Sequence, residues 1–163
     1  MTTQSTLREP SERVSPRAKL MWTLGALANS VFTLGVLLVV AYVWAPFDVP
    51  WWASALLALA FAAYTLLMPR WRYAVHRWEA TETAVYTQTG WWSIERRIAP
   101  MSRIQTVDYE EGAFARLFGL ASVTVTTASA AGALAIVGLD KHLARELVDQ
   151  LTRRADAVPG DAT

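Results

Sequence analysis

Charged residues are absent from two long runs of the chain, Leu20 to Phe47 and Val49 to Pro69, and only Asp48 separates them. Each run supplies the roughly 20 apolar residues that a helix needs to cross a bilayer. The break between them, Ala45 to Pro50, carries Pro46 and Pro50, which a continuous helix does not tolerate. The pattern predicts a hairpin unit at residues 20–69, with transmembrane helices at about 21–44 and 51–68. A buried hairpin of a soluble protein would show a charge on its solvent face every turn or two. A cleaved signal peptide would have an apolar core of only roughly 7–15 residues and no second span behind it.

After Pro69 the hydrophobic period shortens to two. Trp71 to His76 is rich in aromatic and branched residues and predicts a first strand, with Thr83 to Thr89 as the next. Gly90 then supplies the positive φ of a hairpin turn into Trp91 to Ile98. In that strand Trp92, Ile94 and Ile98 share one face and Ser93, Glu95 and Arg97 the other, and Pro100 closes it. Arg103 to Tyr109 is a further strand, with a bulge expected because Ile104 and Val107 fall on opposite faces. Ala121 to Thr127 alternates cleanly, and Leu134 to Val137 makes a last strand after a loop of small residues.

The period then becomes 3.6. Asp140 is a natural N-cap, and Leu139, Leu143, Leu147 and Leu151 recur every fourth position, with Val148 beside them and charges opposite. Arg153 and Arg154 complement the dipole at the far end of this amphipathic helix. The fold class expected is a membrane α-helical hairpin followed by a small mainly-β domain, residues 70–155, of about six antiparallel strands with one C-terminal helix. The polar segments 1–19 and 156–163 lack apolar periodicity and read as disordered tails.

Charge adds an orientation. Arg8, Arg13, Arg17 and Lys19 precede the first span, and Arg70, Arg72 and Arg77 follow the second. The connecting turn has no basic residue. Lys and Arg are retained on the cytoplasmic side, so both termini are expected in the cytoplasm and the protein in the plasma membrane. Trp44, Trp51 and Trp52 flank the turn, and Trp22 and Trp71 stand at the other ends, the headgroup level that such rings favour. The balance of 15 basic to 14 acidic residues gives no reason to expect nucleic acid as a partner. With no cysteine in the chain, disulfides, thiolate metal sites and thiol catalysis are excluded.

Several segments together resemble a known group. They are Arg72-Tyr73-x-Val75, the run from Ile98 to Val107 around Arg103-Ile104-Gln105, Phe114 to Ala121, Val123 to Ala128, and Gly138-Leu139 before the helix. They are similar to the bacterial pleckstrin-homology-like domain of the YdbS-like membrane protein family. The resemblance covers roughly residues 70–155, and the two preceding spans match its short members. It implies a PH-like fold, a bent sheet or partial barrel plugged by the helix, and no defined enzymatic activity.

No catalytic constellation emerges from the residues. His76 and His142 are the only histidines, and they lie in separate elements without the spacing of a metal site. Asp108, Glu110 and Glu111 form the one acidic cluster and read as a solvated loop. There is no nucleophile elbow and no glycine-rich phosphate loop. No cofactor and no metal are expected, and the protein reads as non-enzymatic. Arg96, Arg97 and Arg103 are the candidate anion site, for an acidic lipid or small ligand. Phe114, Leu117 and Phe118 read first as a short helix tucked over the barrel, and otherwise as an interaction surface. The leading function is a membrane-anchored interaction or assembly module in envelope maintenance or stress defence, self-associating or pairing with a related PH-like membrane protein through the strand at 121–127. An acidic-lipid sensor is the second.

Overall fold

The first span does not begin where its apolar run begins. In the structure, a computed structural model that describes residues 9–44, 48–128 and 132–157, helix α1 runs over Arg17–Val39 and continues as a π-helical turn through Val40–Trp44. Helix α2 covers Trp51–Val75, and both are long and apolar enough to cross a membrane. Two polar pairs staple them, Ser30 to Thr65 at 3.0 Å and Tyr42 to Ser54 at 2.8 Å, the kind of interhelical hydrogen bond that apolar surroundings favour.

The strand predicted at Trp71 to His76 is instead the last turn and a half of α2 and its C-cap. Proline weakens a helix by removing one hydrogen bond, yet Pro69 sits inside α2 and is fully buried. Polar neighbours in a spanning bundle accommodate such a residue. Thr65, Pro69, Arg72 and His76 then fall on one helical face, and it is this face that meets the domain.

The segment expected to be a disordered tail is also corrected where it is described. Glu12–Arg13 form a short strand, β1, beside Arg77–Ala80, which is β2. Val14 and Ala18 are buried, and Ser15 N–H donates to the Gly138 carbonyl at 2.9 Å. Glu9 reaches Arg96 at 3.0 Å, and Arg17 reaches Asp140 at 3.4 Å. Residues 9–17 therefore strap the domain to α1, which puts the N-terminal segment and the domain on one side of the hairpin. Tail residues 1–8 and 158–163, turn residues 45–47 and loop residues 129–131 lie outside the described residues.

The remaining strands form two sheets rather than one meander. β3 (Ala84–Gly90) and β4 (Ile94–Pro100) complete a sheet of order β1-β2-β3-β4, and β5 (Ile104–Glu110), β6 (Leu120–Thr127) and β7 (Leu134–Asp140) form the other. The expected bulge is present as a register shift between Ile104 and Thr106, and Gly90 has the positive φ its turn requires, 121°. β6 is central, paired with β5 and β7 on its two sides, so it offers no free edge for assembly.

Helix α4 (Lys141–Ala157) lies over the β5–β7 sheet. Asp140 caps it, its carboxylate accepting from the His142 N–H at 3.0 Å. The leucine stripe is only half right. Steps of four advance a helix by 400°, so a strict i+4 row drifts round the surface. Leu147 and Leu151 are buried, whereas Leu143 is 40% exposed and Ala144 takes its place in the core. That core also takes in Ala18, Met21 and Trp22 from α1, so Trp22 serves as packing and not as a headgroup ring. Gly138, at φ 85°, lets β7 approach this helix: a Cβ there would lie 2.9 Å from the Ala18 Cβ.

Candidate functional site

Where α2 ends, the two sheets leave an open cleft of about 510 Å³. Its floor follows from β-strand alternation. Val85, Thr87 and Thr89 share the inner face of β3, and their register partners Ala99, Arg97 and Glu95 share that of β4. Val85 and Ala99 are buried in the core, while Thr87, Thr89, Arg97 and Glu95 line the cleft, so the inner face turns from apolar to polar along its length. Ile94 and Ile98, on the opposite face, are 52% and 40% exposed. α2 contributes Arg72 and His76, and Ala135 and Val137 of β7 form the facing wall.

The charges in this cleft are unevenly matched. Arg97 pairs with Glu95 at 2.6 Å and donates to the Ala133 carbonyl at 2.9 Å. Arg72 stacks over the Trp22 ring, with its guanidinium carbon 4.5 Å from the centroid, and has no carboxylate partner among the described residues. His76 is only 5% exposed. Its Nδ1 lies 2.9 Å from the Arg72 carbonyl, and since a carbonyl only accepts, Nδ1 carries the proton and donates. Burial, helped by the Arg72 charge, lowers its pKa to about 4. At neutral pH the cleft therefore holds a neutral imidazole and one uncompensated guanidinium, an arrangement suited to a single negative charge.

The three arginines proposed from sequence do not come together. Alternation puts Arg96 on the outer face of β4, where Nε donates to Gln88 Oε1 at 2.8 Å and the guanidinium meets Glu9. Gln88 in turn donates to the Val75 carbonyl at 3.1 Å, so Arg96 ties the strap to the end of α2. Arg103 sits exposed on a 3₁₀ turn, Met101–Arg103, outside the cleft. Arg97 alone of the three lines it. Arg72 and His76 were missed because reading 71–76 as a strand put them two pleats apart, whereas their i, i+4 spacing on a helix stacks them.

Phe114 and Leu117 belong to the short helix α3, Ala113–Leu117, and Phe118 follows it. Phe118 is half-buried against the core and meets Phe114 edge-on at 5.3 Å. Leu117 is not tucked in: it is 78% exposed. The acidic cluster is engaged in holding elements together. Glu111 accepts from the Tyr109 hydroxyl and meets Arg145 of α4 at 3.1 Å and Arg116 at 3.8 Å, and the Tyr109 hydrogen bond is the main influence holding its carboxyl below the usual range.

The profile of a family described as "Bacterial PH domain" matches residues 25–155. The UPF0699 transmembrane protein YdbS of Bacillus subtilis (strain 168) is 29% identical over 157 residues, covering 94% of this chain and 98% of that protein. No solved structure gives a significant match. The matched region takes in most of both apolar helices, both sheets and most of α4, and the chain belongs to the bacterial PH domain family, as a YdbS-like membrane protein with two candidate spans.

Proposed function

We propose that the protein is a non-enzymatic, membrane-anchored PH-like module that takes an anionic group, a lipid headgroup or a small acidic ligand, into the cleft at the foot of its spans. The observation that carries this is Arg72. A partly buried guanidinium without a carboxylate partner among the described residues is costly unless an anion completes it. Thr87 and Thr89 offer hydroxyl donors beside it. The basic flanks and uncharged turn support a plasma-membrane protein with both termini in the cytoplasm, where the leaflet is anionic. Native mass spectrometry of the detergent-extracted protein tests the reading. An anionic phospholipid retained by the wild type and by Arg103→Gln, but lost on Arg72→Gln, is the expected outcome. Equal retention by both variants, or none by the wild type, contradicts it.

A second role, as an interaction or assembly module in envelope maintenance or stress defence, is favoured by one feature. β4 is a sheet edge with outward-facing Ile94 and Ile98. Edges of this kind accept a strand from another chain, either a second copy or a related PH-like membrane protein. Ligand occupancy of the cleft behind the same strand would then bear on pairing.

A further inference from the structure

Outside the spans, the two most exposed large apolar side chains among the described residues are Trp92, at 89%, and Leu117, at 78%. They belong to different sheets' connections, yet both stand against the transmembrane hairpin. Trp92 is at the tip of the β3–β4 turn, and its neighbour Trp91 packs edge-on to Tyr64 of α2 with centroids 5.9 Å apart. Trp91 also borders an apolar groove of about 610 Å³ shared with Tyr64, Leu67, Met68 and Trp71. Leu117 is on α3, whose Phe114 lies over Gly25 of α1, 3.8 Å from where a Cβ would stand.

The depth of these contacts is informative. Tyr64 lies six residues inside the apolar run from Arg70, and Gly25 lies six residues inside it from Lys19. At 1.5 Å per residue both touch the spans about 9 Å beyond the last charge of the helix. From Trp51 to Arg70 the helix rises about 28 Å, close to the roughly 30 Å of a hydrocarbon core. The tip and α3 therefore sit at the boundary of headgroups and acyl chains. Their composition agrees: no charge occurs from Thr83 to Ile94 or from Gly112 to Ala115, and the tip is paired tryptophan, the residue that favours this layer.

We propose that the β3–β4 tip, through Trp91 and Trp92, and α3, through Phe114 and Leu117, are two bilayer-inserting pads flanking the hairpin, with lipid of the same leaflet as their occupant. The apolar surface of the spans continues onto both pads without a polar break, and each pad covers the flank of a different helix. The domain is thus seated in the leaflet at two points as well as held by its spans, which brings the mouth of the cleft to headgroup depth. This inference depends on the spans and not on the cleft's ligand.

The absence of native cysteine allows a direct test. Trp92→Cys, Leu117→Cys and, as a control on the exposed face of α4, Glu146→Cys are each made in the full chain. Each is spin-labelled and reconstituted in vesicles of phosphatidylethanolamine and phosphatidylglycerol. The exposure of all three positions leaves packing undisturbed. Labels at 92 and 117 should collide with oxygen several-fold more than with a water-soluble nickel chelate, and the label at 146 should show the reverse. Chelate accessibility at 92 and 117 matching that at 146 overturns the proposal. Exclusion of both reagents with spin–spin broadening overturns it too, by assigning the pads to a second copy of the chain.

Discussion

The two faces of β7 do opposite jobs. Leu134 and Ile136 point into a core sealed by α4, with Leu147 and Leu151 fully covered above it. Ala135 and Val137, one residue along in each case, face the cleft with Arg72, His76 and Arg97 opposite. The first side is aliphatic, dense and closed by a helix whose sequence announces it. The second is closed by nothing but the ends of two spans, and polar groups stand where a core would hold leucine. Burial without hydrogen-bonding alternatives makes the first side stability, and a neutralised histidine beside an unmatched arginine makes the second a place for something else to bind.

Breaking the sealed side should cost most. Leu147→Asp places an unpaired carboxylate in the core, at about 4 kcal/mol or more, against a stability of about 5–15 kcal/mol for a typical domain. Limited proteolysis of the reconstituted protein should show cleavage between Thr81 and Arg154 in the mutant and resistance in the wild type. Wild-type resistance in the mutant would mean that α4 does not seal the core.

Acid should open the other side. The His76 pKa falls from an ordinary 6.5 to about 4 on folding, so between those values the unfolded chain binds the extra proton. Its contribution is complete above about pH 6.5 and is lost as pH falls toward 4. It amounts to about 3 kcal/mol at one pKa unit per 1.36 kcal/mol. Chemical denaturation at pH 7 and pH 4.5 should show this loss, and His76→Gln should flatten it.

Arg96→Ala should have the smallest effect, about 1 kcal/mol or less, because its pair with Glu9 is largely exposed. Its signature should be local, faster amide exchange of Ser11 to Val14 with the α4 side unchanged. A global loss of protection would place Arg96 in the core of the account and not at its strap.

The sealed side was legible in the chain and the cleft was not. Alternation in 121–127, the Asp140 cap, the bulge near Ile104 and the turn at Gly90 are local signals, and each fixes an element with little help from the rest of the molecule. The misreadings share one cause, that a contact outside the segment decides its state. Aromatic residues after Pro69 look like a strand until the sheet supplies a partner for the helical face of Arg72 and His76. Glu12 to Val14 look like a tail until β2 and β7 accept them. Arg96 and Arg97 look like a pair until alternation separates them to opposite faces. Phe114 and Leu117 look like core because apolar residues in a soluble loop usually are, and here the spans stand alongside.

The two histidines give the most direct test of the cleft, since only His76 lines it and His142 lies exposed on α4. Their imidazole resonances can be titrated by NMR in nanodiscs of zwitterionic lipid, with and without phosphatidylglycerol. An anion seated beside Arg72 should raise the His76 pKa clearly above about 4 when phosphatidylglycerol is present, by more than any shift of His142, and Arg72→Gln should abolish that excess. Equal shifts of His76 and His142, or an excess that survives in Arg72→Gln, would contradict an anion site in the cleft.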